Sequence, residues 1–97
     1  MFSIIITCYN EGKDVLRAVR SVQAQTLHDY EIIVVKDYSD HQPTLEVCRQ
    51  LQNEGIQVLY AKKNVGVSVT RNMGIAAAKG DITYTLDGDD VLPPDAL

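Results

Sequence analysis

A surplus of positive charge is missing from this sequence. Nine Lys and Arg stand against 13 Asp and Glu over 97 residues, giving a net charge of −4, whereas a protein that neutralises nucleic-acid phosphates needs a basic face. General nucleic-acid binding is excluded on that ground. Cysteine is scarce: Cys8 and Cys48 offer neither a zinc spacing nor a disulfide framework and read as small buried hydrophobes in a reducing compartment. Long apolar runs are also lacking. The opening MFSIIITCYNE has no basic leader and only about five continuous apolar positions, too few for a signal peptide or a membrane span. The familiar phosphate loops are absent as well. Only Gly12 follows the first apolar run, so GxGxxG fails there, and no GxxxxGK[ST] occurs.

What is present is 45% hydrophobic residues in 97, enough for one modest core and too few for two domains. Phe2 to Cys8 and Glu31 to Val35 are β-branched runs that are apolar at consecutive positions, the pattern of strands covered on both faces. Gln57 to Ala61 and Ile82 to Leu86 read as further strands. Between them, Asp14 to Gln25 carries Val15, Leu16, Val19 and Val22 at helical spacing. A second helix is expected from Pro43 to Gly55, and a third from Val67 to Lys79, stopped by Gly80. The order predicts an α/β, doubly wound, mostly parallel sheet of about four strands flanked by helices. Ligands of such sheets collect beyond the carboxyl ends of the strands.

Those ends carry Thr7-Cys8-Tyr9-Asn10-Glu11, Lys36-Asp37-Tyr38-Ser39, Lys62-Lys63-Asn64 and Asp87-Gly88-Asp89-Asp90, and all four are expected on one rim. The last concentrates the imbalance of charge. Up to residue 86 acids and bases number nine each, so Asp87, Asp89, Asp90 and Asp95 account for the whole excess. The run is no EF-hand, because Val91 takes the fifth position and Pro93 follows. In an extended segment Asp87 and Asp89 would point to one side, converging on one ion, or on a ribose and an ion together. Hard carboxylate oxygens favour Mg²⁺ or Mn²⁺, and Gly88 would leave room for a ligand against the backbone. The competing reading is an acidic turn capping a helix that starts near Pro94.

The order of IIITCYNEG, QTLHDYEIIVVKDYS, NVGVSVTRNMGIAAAKGD and ITYTLDGDD resembles, over essentially the whole chain, the N-terminal, nucleotide-binding half of family-2 glycosyltransferases of the GT-A fold. The resemblance rests on Tyr9-Asn10-Glu11, on Asn64-x-Gly66-x4-Arg71-Asn72-x-Gly74 and on the Asp87-Gly88-Asp89 motif. It implies a Rossmann-like half-domain that takes a nucleotide-diphosphate sugar through Thr7, Tyr9, Glu11, Asp37, Arg71 and Asp87, with Tyr9 stacked on the base and Asp37 at its edge. It implies Mn²⁺ or Mg²⁺ held by Asp87, Asp89 and Asp90, and inverting transfer to a hydroxyl of a saccharide or lipid-linked acceptor. The acceptor-binding half, with the general base, is expected outside residues 1–97, so these residues alone would bind without efficient transfer. A cytoplasmic setting is expected, any membrane attachment coming from other parts.

Departures from the family pattern fall at Thr7, where Pro is common, at Lys36, where Asp is common, and at Tyr38, where Gly is common. They bear on the choice of base. Two rival classes are a non-catalytic nucleotide- or metal-binding module of the same fold and a haloacid dehalogenase-type phosphohydrolase. In the latter the aspartate motif ordinarily follows the first core strand, whereas three strands precede it here.

Overall fold

The computed structural model describes all 97 residues. Seven elements alternate along the chain: β1 (Phe2–Cys8), α1 (Lys13–Gln23), β2 (Tyr30–Lys36), α2 (Gln42–Asn53), β3 (Gln57–Tyr60), α3 (Val67–Ala77) and β4 (Ile82–Asp87). They build one four-stranded sheet in the order β3-β2-β1-β4, every pair parallel. The chain moves outward from β1 to β3, then returns through α3 to lay β4 on the other side of β1. That reversal makes β1 and β4 the switch point, the position at which open α/β sheets bind ligands.

The consecutive apolar residues of β1 and β2 have the expected cause. Ile4, Ile6 and Val34 pack into one core with Val15, Val19 and Val22 of α1 and with Val47 and Leu51 of α2. On the opposite face Ile5, Ile33 and Val35 meet Met73 and Ala77 of α3. Ile4, Ile5 and Ile6 are all fully buried, each contributing about 1.5–3 kcal/mol of transfer free energy. Gly74 explains how closely α3 approaches. A Cβ there would lie 2.3 Å from Ile5 Cγ2 and 3.1 Å from Val35 Cγ2, so the absence of a side chain sets the distance between helix and sheet. β4 is an edge strand, and its Ile82 and Tyr84 are exposed.

The C-terminal segment forms no helix near Pro94. Pro93 to Ala96 make only a turn, with the Ala96 N–H donating to Pro93 O at 3.1 Å, and the acids therefore cap nothing. Instead the segment is tied back to the end of α1. Ser21 Oγ accepts from the Leu92 N–H at 3.0 Å, and Gln25 Nε2 donates to Pro93 O at 2.7 Å.

Candidate functional site

A cleft of about 290 Å³ opens beyond the carboxyl ends of β1 and β4, close to the lower size of small-molecule sites. β1 and its continuation supply Thr7, Cys8, Tyr9 and Glu11, the end of β2 supplies Asp37, the first turns of α3 supply Val67, Thr70 and Arg71, and the end of β4 supplies Asp87, Gly88 and Asp89. Register explains the meeting: Thr7 pairs with Asp87 across the β1–β4 ladder, and Cys8 pairs with Lys36 across β1–β2.

Asp87, Asp89 and Asp90 bring one carboxylate oxygen each within 4.8 Å of one another. They converge through a turn rather than by extended alternation. The Asp90 N–H donates to Asp87 O at 2.9 Å, folding the backbone so that the side chains gather at its tip. Gly88 makes the turn fit: it lines the cleft, but the space a side chain would take is filled by the protein. A Cβ there would sit 2.9 Å from Thr7 O, 3.0 Å from Cys8 Cβ and 3.2 Å from Glu11 Oε1. Three clustered oxygens of this hardness suit Mg²⁺ or Mn²⁺, with water or phosphate completing the shell.

Arg71 supplies the countercharge. Its Nη2 donates to Asp87 Oδ1 at 3.2 Å, and Thr7 Oγ1 lies 3.5 Å from that same oxygen. Thr7 is thus turned toward the acid. Arg71 Nε is buried with no hydrogen-bond partner, an uncommon state for a guanidinium N–H.

Asp37 is almost wholly buried and is engaged by backbone. Its Oδ1 accepts from Tyr38 N–H at 2.8 Å and Val65 N–H at 3.0 Å, and its Oδ2 accepts from Gly66 N–H at 2.9 Å. Of its roughly four lone-pair sites, these contacts leave one. Burial pushes the carboxyl pKa up, but the three amides and the neighbouring Lys36 outweigh it and hold the group below the usual aspartate value. Tyr9 stands at the lip with 41% of its surface exposed, and its N–H donates to Glu11 Oε1. The neighbouring Cys48 thiol and burial push the Cys8 pKa upward, so Cys8 is not set up as a nucleophile.

Thr7, Tyr9, Glu11, Asp37, Arg71, Asp87 and Asp89 therefore line one cleft, with Asp90 joined through the acid cluster. The third strand end does not join them: Lys62, Lys63 and Asn64 lie outside the cleft lining, and their loop is held to the site through Asp37. Lys36, expected on the rim, is the last residue of β2 and only 1% exposed. Val67 and Thr70 were not legible as lining residues. Their signal is helical spacing, because Thr70 precedes Arg71 and lies one turn on from Gly66 and Val67, whose carbonyls its hydroxyl bonds at 3.2 and 2.9 Å.

Residues 3–97 match the family model of glycosyl transferase family 2. The chain belongs to that family. Among its relatives is the poly(ribitol-phosphate) β-N-acetylglucosaminyltransferase TarP of Staphylococcus aureus, 36% identical over 98% of this chain and 30% of that protein. The crystal structure of S. aureus TarS in complex with UDP superposes with a TM-score of 0.84 at 28% identity, covering 97% of this chain and 29% of that one. The mannosyltransferase PcManGT of Pyrobaculum calidifontis, in complex with GDP-Man and Mn²⁺, gives 0.83 at 20% identity over 95% of this chain and 28% of that one, which bears on fold. The family-2 chain thus has the Rossmann-like α/β layers of the GT-A fold, and it spans about three-tenths of the length of such relatives. No helix in it is long and apolar enough to cross a membrane.

Proposed function

We propose that residues 1–97 are the N-terminal, nucleotide-sugar-binding part of a glycosyltransferase domain. The complete protein moves a hexosyl or related group from a nucleotide-diphosphate sugar to a hydroxyl of a saccharide or lipid-linked acceptor. The observation that carries this reading is the meeting of three carboxylates, Arg71 and an exposed tyrosine in one cleft at the β1/β4 switch point. Asp89 would hold Mn²⁺ or Mg²⁺ together with Asp87, whose other contacts are Arg71 and Thr7, and Asp90 would be the lesser ligand. A cation bound there supplies neutralising charge to the departing diphosphate.

The residues of this chain bind and orient. Tyr9 offers its ring to the base, and Glu11 fixes the backbone beneath that ring. Asp37 has one lone-pair site left for the base edge while it anchors the start of α3. Arg71, which lines the cleft with 40% of its side chain exposed, faces the ribose or phosphate oxygens. The acceptor oxygen bonds to the anomeric carbon as the bond from that carbon to the phosphate oxygen breaks, and the hydroxyl proton passes to a general base outside residues 1–97. Inversion follows from that single displacement. Uridine is the first base to try, since TarS was solved with UDP. The reduced, buried thiols accord with a cytoplasmic setting, with membrane attachment left to other parts of the protein.

The test is to incubate the full-length protein with Mn²⁺ and the diphosphate sugars of uridine, guanosine and thymidine, following binding by thermal shift and products by mass. One donor that stabilises the protein and is consumed is the expected result. Phosphate-ester hydrolysis without any nucleotide dependence, or no response to any donor, would overturn the reading.

A further inference from the structure

Lys36 carries a charge at the end of β2, yet it is 1% exposed and has no carboxylate in ion-pair contact among the salt bridges of the fold. A buried ammonium without a counter-ion is costly unless hydrogen bonds replace its water. Two do. Nζ donates to Asp37 O at 2.6 Å and to Ser39 Oγ at 2.7 Å. Because the ammonium has no lone pair, Ser39 Oγ must accept from it, which leaves the hydroxyl proton free to donate onward to Tyr9 O at 3.2 Å. The same Nζ stands 5.8 Å from the centroid of the Tyr9 ring, within cation–π range. The hydrogen bonds of Tyr9 are otherwise made by its N–H to Glu11, so its ring has little else to hold it at the lip of the cleft.

We propose that Lys36 is a positioning residue: its buried ammonium, directly beneath the ring and through Ser39, fixes Tyr9 for the nucleobase and couples the Tyr9 loop to the loop of Asp37. This rests on the nucleotide-binding reading of the cleft. One charge-assisted node thereby aligns both groups that face the base, so the geometry of the base subsite depends on a residue that does not touch the base.

The test uses full-length protein with Lys36→Met, which keeps an apolar stem of similar length, Tyr9→Ala and the double variant. Nucleoside diphosphate binding in the presence of Mn²⁺ is measured by calorimetry, alongside NMR of tyrosines carrying ¹³C in the ring, without ligand. Lys36→Met should weaken binding about five- to tenfold, and on the Tyr9→Ala background it should add little. The Tyr9 ring signal should shift in the ligand-free protein while that of Tyr30, at the far end of β2, stays in place. An unmoved Tyr9 signal, or a Lys36→Met loss that adds in full on Tyr9→Ala, overturns the proposal. Should Lys36→Met fail to fold, Ser39→Ala breaks the relay and must move the same signal. If wild-type protein binds no nucleoside diphosphate, the nucleotide reading fails, while the ligand-free Tyr9 signal still decides the brace.

Discussion

Arg71 reaches from the second turn of α3 to Asp87 at the end of β4, Nη2 to Oδ1 at 3.2 Å, with 40% and 48% of the two side chains exposed. The pair spans the two elements that the chain places last around the cleft. It also sets a competition: the oxygen that Arg71 holds belongs to the acid cluster that would take a cation.

Arg71→Met should therefore separate two affinities. Freed of its partner, Asp87 becomes more available, and bare Mn²⁺ should bind up to about fivefold more tightly, the scale of a solvent-screened pair. The Mn²⁺ complex of a nucleoside diphosphate should bind more weakly, because the guanidinium no longer faces its anionic oxygens. Calorimetry with each ligand checks this. Two affinities moving the same way would mean that Arg71 and the cation do not compete.

Asp37→Asn places an amide where three backbone N–H groups now find oxygen. At least one donor then meets another donor, and loss of about 1–3 kcal/mol of stability is expected. The acid limb should change too. The folded pKa lies below the unfolded value of 3.8, so the contribution of Asp37 is complete above that value and is lost as pH falls through the lower, folded one. Chemical denaturation from pH 6 downward should show the variant losing less stability than wild type in that window.

Gly74→Ala tests the spacing of α3 from the sheet. The substitution gains about 1 kcal/mol of helix propensity, but the new Cβ would lie 2.3 Å from Ile5 Cγ2, and overpacking costs about 1–3 kcal/mol. Net destabilisation is expected. Adding Ile5→Leu, which has no Cγ2 branch, should recover part of it in thermal denaturation.

Much of this was legible locally. Consecutive β-branched residues announce strands covered on both faces, and the helical spacing of Val15, Val19 and Val22 announces α1, because these patterns repeat within a few residues. The partners of Asp37 were not legible, because Val65 and Gly66 arrive from 28 and 29 residues away, across a whole crossover. Lys36 could not be read as buried either. A lysine at a strand end ordinarily snorkels to water, and only the folded loops around Tyr9 and Ser39 close over it. The acid cluster was foreseen by composition, but its convergence comes from the turn between Asp87 and Asp90, which extended alternation did not anticipate.

The cation site is tested most directly by titrating Mn²⁺ with a nucleoside diphosphate into full-length wild type and Asp89→Ala by calorimetry. Asp89→Ala should abolish metal-dependent nucleotide binding, Asp87→Ala should impair it and Asp90→Ala should affect it least. Metal-free stability should stay the same or rise slightly for Asp89→Ala and Asp90→Ala, since each removes a like charge from a crowded turn, whereas Asp87→Ala also takes away the partner of Arg71. Undiminished binding of the Mn²⁺ complex by Asp89→Ala would contradict a cation held at the end of β4, and with it the chemical basis of the transferase reading.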